Sequence, residues 1–232
     1  MNETVTRQKE LAALQAVELV QSGMIVGLGV GSTAGFAVRE IANRITSGLI
    51  QDILGIPCSL KVEQEAKTLG IPLTTLEEHP SVDLTIDGAD EVDPDLNLIK
   101  GGGGALLREK ILAQASRREI IIVDESKLSP RLGTQWPVPV EVLPFGWETQ
   151  AQFLRSLGGQ PELRQSADGS PYLTDQGNFI LDAHFGPLDD PYALALEFDQ
   201  RAGIIAHGLF LGMATDLIVA GRTGIQHIRR TD

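Results

Sequence analysis

A single cysteine, Cys58, stands among 232 residues, which rules out a disulfide within the chain and suits a reducing cytoplasm. Histidines are few as well: four, scattered, without the spacing of metal ligands. No stretch approaches the roughly eighteen consecutive apolar residues of a membrane span. The opening MNETVTRQKELAALQAVELV mixes charges with small apolar residues, where a secretory leader would carry an unbroken apolar run. Positive charge is in deficit: 19 Lys and Arg against 31 Asp and Glu leave −12, a field that repels nucleic-acid phosphates. Any small anionic ligand must then be met by basic groups and backbone N–H donors that converge locally.

What the chain has is 42% hydrophobic residues over a length that supports one large or two small domains. Leu11, Leu14 and Val17 fall three apart within residues 7–21, the spacing of an amphipathic helix. MIVGLGV reads as a buried strand and GSTAGFAVREIANRI as a turn into a helix. Residues 53–59 follow as a strand, 61–69 as a helix and 72–75 as a short strand. SVDLTIDGADEVD is a strand ending in acids, ALLREKILAQAS a helix and EIIIVDESK a strand. This alternation predicts a Rossmann-like α/β fold, a parallel sheet with helices on both faces. Four prolines in SPRLGTQWPVPVEVLP then break the rhythm and mark a domain boundary. Beyond it VPVEV, ETQAQFLRSL, PELRQ, NFILDAHF, YALALEFDQ and IIAHGLFL read as β-α-β-β-α-β, the order of a ferredoxin-like α+β unit. The tail DLIVAGRTGIQHIRR adds two short strands to the first sheet. The expected domains are residues 1–131 with 207–232, and residues 132–206.

Ligands of open α/β sheets bind beyond the carboxyl ends of the strands, and three segments fall there. In Gly27-Leu28-Gly29-Val30-Gly31-Ser32-Thr33 the glycines admit an anion to the backbone at a helix N-terminus. Ser32 and Thr33 either add hydroxyl donors or cap the helix. Gly29-x-Gly31-x-x-Ala34 also fits a dinucleotide fingerprint, but the next strand ends at Pro57-Cys58-Ser59, without the acid that would hold a ribose. The second segment, Asp87-Gly88-Ala89-Asp90-Glu91 with Asp93, admits a solvated turn, a divalent-metal site or a catalytic site. The third, Lys100-Gly101-Gly102-Gly103-Gly104, is either a linker or a ligand-wrapping loop. Four glycines are costly to order, and the segment sits between a strand and a helix, which favours the loop. Glu109 falls about two turns into that helix, where an ordinary surface glutamate would pair with neighbouring bases.

Taken in order, GLGVGSTA, DGADE and KGGGGALLREK resemble the hallmarks of the A-type ribose-5-phosphate isomerases, with VDESK, PVPVEVLP and LGGQPELRQ extending the likeness along the chain. The resemblance implies an aldose–ketose isomerase without cofactor or metal. Glu109 would be the catalytic base, with Asp87, Asp90 and Lys100 its companions. Val30, Gly31, Ser32, Thr33, Gly88, Ala89, Gly101, Gly102, Gly103 and Lys127 would hold a sugar phosphate, and Lys9 would join them from the first helix. It also implies a homodimer or homotetramer, while the net charge and the lack of a long apolar run lead us to expect no nucleic-acid or membrane partner. Three positions depart from the family pattern. Val30 replaces a threonine, Gly104 stands where alanine is common and should loosen the loop slightly, and Gln160 replaces an arginine.

The chemistry suits these residue types. One carboxylate can move a proton between C2 and C1 of a planar enediol, a second acid can shuttle one between O1 and O2, and a lysine with backbone N–H groups can hold the oxyanion. A metal-assisted hydride shift would need a dedicated cage, and no histidine lies near the acids. A sugar-phosphate-sensing regulator is the rival of another class. It would carry a DNA-binding helix-turn-helix and could dispense with Glu109.

Overall fold

The computed structural model describes residues 3–230, which form two compact units. One comprises the chain up to Ala89, residues 108–127 and the chain from Gly212 onward; the other comprises residues 90–107 and 128–211. Among the described residues, no helix is long and apolar enough to cross a membrane.

The first unit is a six-stranded sheet. Its strands are β1 (Ile25–Leu28), β2 (Leu54–Pro57), β3 (Leu84–Asp87), β6 (Glu119–Asp124), β12 (Asp216–Gly221) and β13 (Gly224–Arg229), in the order β13-β12-β6-β3-β1-β2. All neighbours are parallel except the β12–β13 hairpin that closes one edge. The run EIIIVD makes β6 buried at every position, as a central parallel strand should be. Ile120 and Ile122 pack with Ala12, Ala13 and Ala16 of α1 (Glu3–Val17) and Val38 and Ile41 of α2 (Ala34–Thr46). Leu112 of α4 (Leu106–Ala115) gathers with Ile56, Cys58 and Val82 in a separate cluster. Helix α3 (Leu60–Thr68) starts where Ser59 Oγ accepts the Val62 N–H. The strand expected over 72–75 is only an isolated bridge between Gly55 and Leu73. Pro72 has no N–H to give to a ladder, so pairing stops after one rung.

The second unit carries β7 (Val138–Val142), α5 (Trp147–Ser156), β8 (Gln160–Leu163), β9 (Phe179–His184), α6 (Pro191–Asp199) and β10 (Ile204–His207). The sheet is antiparallel in the order β10-β7-β9-β8, the ferredoxin-like arrangement. Val138, Val140 and Val142 alternate onto the face where Leu154 and Phe198 of the helices are buried. The expected single strand IIAHGLFL is two. After β10 the chain breaks at Gly208, and β11 (Leu209–Phe210) joins β5 (Leu98–Ile99) and β4 (Glu91–Val92) in a small third sheet. The break is fixed by Gly208, whose N–H donates to Pro139 O and whose carbonyl accepts the Lys100 N–H.

Candidate active site

In the first unit the sheet order sets β1, β3 and β6 side by side and parallel, so the segments leaving their carboxyl ends lie along one edge. These are the Gly29–Thr33 loop, Asp87 with Gly88 and Ala89, and a one-turn helix over Glu125–Lys127. The loop and the strand end are tied directly. Gly29 N–H donates to Ile86 O, and the Asp87 carboxylate accepts the N–H groups of Val30 at 3.0 Å and Gly88 at 2.7 Å. A Cβ on Gly29 would stand 2.3 Å from Asp87 Oδ1, so glycine there is what lets the acid reach the loop. Asp87 itself is 1% exposed.

The open alternatives for Ser32 and Thr33 now divide. Thr33 is the residue before α2, yet its side chain makes no capping hydrogen bond. The Ser32 hydroxyl accepts from Lys9 Nζ at 2.9 Å, which brings Lys9 to the loop. Gly31 and Ser32 are exposed, Val30 and Lys127 half-buried. The Glu125–Lys127 turn is held by Asp124, whose Oδ1 accepts the backbone N–H and the hydroxyl of Ser126. Glu109 is buried, at 4% exposure, which excludes the ordinary surface glutamate. It lies in the first turn of α4, not two turns in, because the helix starts only at Leu106, after the glycine run.

In the second unit Lys100 is 1% exposed, an unusual place for an ammonium, with Nζ 5.5 Å from the centre of the Phe210 ring. Strand β11 puts Phe210 there through its pairing with β5. The glycine run that follows is an ordered loop. Gly104 N–H returns to Gly101 O, and Gly102 N–H donates to Asp90 Oδ2 at 2.7 Å. Gly101 and Gly104 have φ of +101° and +81°, conformations that side chains rarely adopt. Gly104 is buried with the Tyr172 hydroxyl 2.3 Å from where its Cβ would stand. Its glycine therefore fits a close contact and does not loosen the loop. Gly103 differs: it is exposed, its φ is ordinary, and nothing lies within 4 Å of its Cβ position.

The acid cluster dissolves into separate tasks. Asp87 and Asp90 brace the loops just described. Glu91, fully buried, accepts the N–H groups of Gly133, Gln135 and Trp136. Asp93 accepts those of Asp95 and Asn97 and closes its own turn. Among the described residues, no group of three or more His, Cys, Asp or Glu is gathered as a metal cage.

Arg164, Asp182 and Tyr172 were not anticipated. Arg164 closes on Asp182 with Nε and Nη2, and its Nη1 donates to Gly101 O at 2.8 Å and Gly102 O at 3.2 Å. Tyr172 lies under the guanidinium, 5.9 Å from ring centre to Cζ, and its hydroxyl donates to Gly103 O. The available signal was a lone arginine in the strand-like PELRQ, which points to no particular loop.

A glycine loop at a helix N-terminus beyond a parallel strand, with a buried carboxylate at the end of the next, defines an α/β protein of the kind that handles small anions. Comparison with known proteins narrows this. The family model described as Ribose 5-phosphate isomerase A (phosphoriboisomerase A) matches residues 54–224. Ribose-5-phosphate isomerase A of Chloroflexus aurantiacus is 60% identical over all of this chain and 98% of its own. Among solved structures, a D-ribose-5-phosphate isomerase in complex with phospho-erythronic acid superposes with a TM-score of 0.96 at 38% identity, covering 99% of this chain and all of that one. The Plasmodium falciparum ribose 5-phosphate isomerase gives 0.95 at 39%, over 98% of this chain and all of its own. The chain belongs to the ribose 5-phosphate isomerase A family.

Proposed function

We propose that this protein interconverts D-ribose 5-phosphate and D-ribulose 5-phosphate by proton transfer through an enediol, as a cofactor-free aldose–ketose isomerase of the non-oxidative pentose phosphate branch. The observation that carries the reading is the edge of the first sheet. There an anion-ready glycine loop, an Asp87 carboxylate hydrogen-bonded to that loop, and the turn bearing Lys127 stand on three adjacent parallel strands. A sugar phosphate needs both kinds of group: donors for the phosphate and a fixed acid for the hydroxyls. The related isomerase bound to phospho-erythronic acid supports this, since that ligand joins a phosphate to a carboxylate with the planar two-oxygen outline of an enediolate.

Gly31, Ser32, Thr33 and Lys127, with Lys9, take the phosphate through backbone N–H groups, hydroxyls and ammonium groups, which meets it locally despite the net charge of −12. Glu109 removes the C2 proton and returns it to C1. Asp87, held by two backbone N–H groups, carries the second proton between O1 and O2, with Asp90 beside it in the chain. Lys100, out of water, and the Gly103 N–H stabilise the oxyanion, an interaction that grows as charge develops, while Gly101 and Gly102 shape the loop that carries that donor. Val30, Gly88 and Ala89 shape the walls. The chain acts as a homodimer or homotetramer in the cytoplasm.

The test is conversion of ribose 5-phosphate by chelator-treated protein in deuterated water. Turnover should persist, and deuterium should enter C1 of the ketose, because a carboxylate exchanges its proton with solvent before returning it. Loss of turnover restored by a divalent ion, with full retention of the C2 hydrogen, would replace proton transfer by a hydride shift. Light scattering on the eluting protein decides the oligomer.

A further inference from the structure

We infer that Arg164 is a positioning residue for this isomerisation: it fixes the peptide planes of the glycine run so that the Gly103 N–H stands ready as a donor to the developing oxyanion. The inference rests on the function proposed above and concerns side chains far along the chain from the three motifs.

In a trans peptide the C=O and the following N–H point in opposite directions. Holding one orients the other. Arg164 Nη1 takes Gly101 O and Gly102 O together, and thereby aims the N–H groups of Gly102 and Gly103 away from the guanidinium. The first of these reaches Asp90 Oδ2, as that geometry requires. The second, on Gly103, meets no acceptor among the described residues, and this is the one glycine of the run that is exposed, has an ordinary φ and has open space where a side chain would be. Packing and backbone conformation account for the other three. At Gly103 the absence of a side chain leaves room for a group from outside the chain to approach the N–H.

The guanidinium is itself immobilised. Asp182 binds it through two nitrogens, its side chain is 15% exposed, and the Tyr172 ring lies alongside while the Tyr172 hydroxyl holds Gly103 O. A planar fork that grips a carboxylate on one side and two carbonyls on the other is a task lysine cannot perform, since an ammonium is a point charge without that geometry. Four glycines in succession would otherwise sample many loop conformations, and a donor misplaced by about an ångström costs about a hundredfold in rate.

The test is steady-state kinetics of Arg164→Lys, which keeps the charge and removes the fork. We expect kcat to fall about tenfold to a hundredfold with KM within about threefold, since the donor acts on charge that exists only in the transition state. The pH profile of kcat should keep its shape, because no ionisation has been moved. Should Arg164→Lys fail to fold, Asp182→Asn, which leaves the guanidinium but weakens its anchor, is read in its place with the same expectation at the smaller end. A wild-type kcat in the variant that folds, or a loss expressed entirely in KM, overturns the positioning role. A wild type that does not isomerise ribose 5-phosphate would instead overturn the function on which the inference rests, so the two failures are told apart by the wild-type assay alone.

Discussion

The two glycine-rich segments achieve order by different routes. The Gly27–Thr33 loop is fixed by the parallel sheet itself: it leaves one strand, is tied to the end of the adjacent strand through Asp87, and enters the next helix. The Lys100–Gly104 run is held from several sides, by Asp90, by Arg164 on the segment after β8, by Tyr172, and by β11 pairing alongside β5. Anchoring on one adjacent strand suits a site proposed to bind a phosphate equally in ground and transition states. A run braced from several directions suits donors whose placement matters in the transition state, and the helix it feeds carries the proposed base. The sharpest separation of the two is therefore kinetic. Glu109→Gln preserves size and deletes the base, and kcat should fall about a hundredfold to ten-thousandfold while substrate binding, followed by equilibrium titration, survives. Turnover near that of the wild type would remove Glu109 from the chemistry.

On the other side of the comparison, Lys127→Ala should act through KM, because the phosphate contact proposed for it would be made before and during reaction alike. Loss of one charged hydrogen bond costs about 1.5 to 3 kcal/mol, or about tenfold to a hundredfold in kcat/KM. An unchanged KM with a reduced kcat would erase the division of labour between the two segments. Ribose lacking its phosphate supplies the control, since it should lose nothing further in the variant.

The same contrast explains what could be read from the amino acids alone. The α/β rhythm, the ferredoxin-like order and the return of the tail to the first sheet were legible because short apolar runs such as EIIIVD and VPVEV, buried along their whole length, alternate with segments of helical spacing. The glycine loop after β1 was legible because its glycines stand between a strand and a helix that are neighbours in the chain, although its tie to Asp87 is not local. Arg164 was not, because its partners at 101, 102 and 182 are set by the register of a sheet that no local pattern encodes. Glu91 was misleading in the other direction. Its proximity to Asp87 suggested a metal site or solvated turn, whereas it is spent on a loop 42 to 45 residues further along the chain.

Within the second run the comparison can be made residue by residue. Gly104→Ala forces a side chain into φ +81° against Tyr172, and should lower stability by about 1 kcal/mol or more. Gly103→Ala meets neither obstacle, so its unfolding midpoint in urea should match the wild type, while kcat/KM falls as the new methyl group crowds the approach to the N–H. Equal activity in Gly103→Ala and wild type would mean that nothing approaches there.

The smallest effect lies deepest in the bracing. Glu141 on β7 is fully buried, and its Oε1 accepts from Thr174 Oγ1 at 2.8 Å and Asn178 Nδ2 at 2.9 Å, fixing the turn just past Tyr172. Its Oε2 is buried without a partner. Burial pushes the Glu141 carboxyl above its ordinary value, against the lowering effect of the hydrogen bonds from Asn178 and Thr174. A carboxyl whose folded value is raised contributes stability that is complete below its unfolded pKa of about 4.3 and is lost as pH rises through the folded value. Glu141→Gln imitates the protonated form: its carbonyl keeps both hydrogen bonds and no charge has to be buried. The variant should match the wild type in urea at about pH 4 and exceed it by about 1 kcal/mol or less at about pH 8. A difference between the two proteins that is the same at both pH values would show that Glu141 does not titrate between them, and that the turn beside Tyr172 rests on its hydrogen bonds alone.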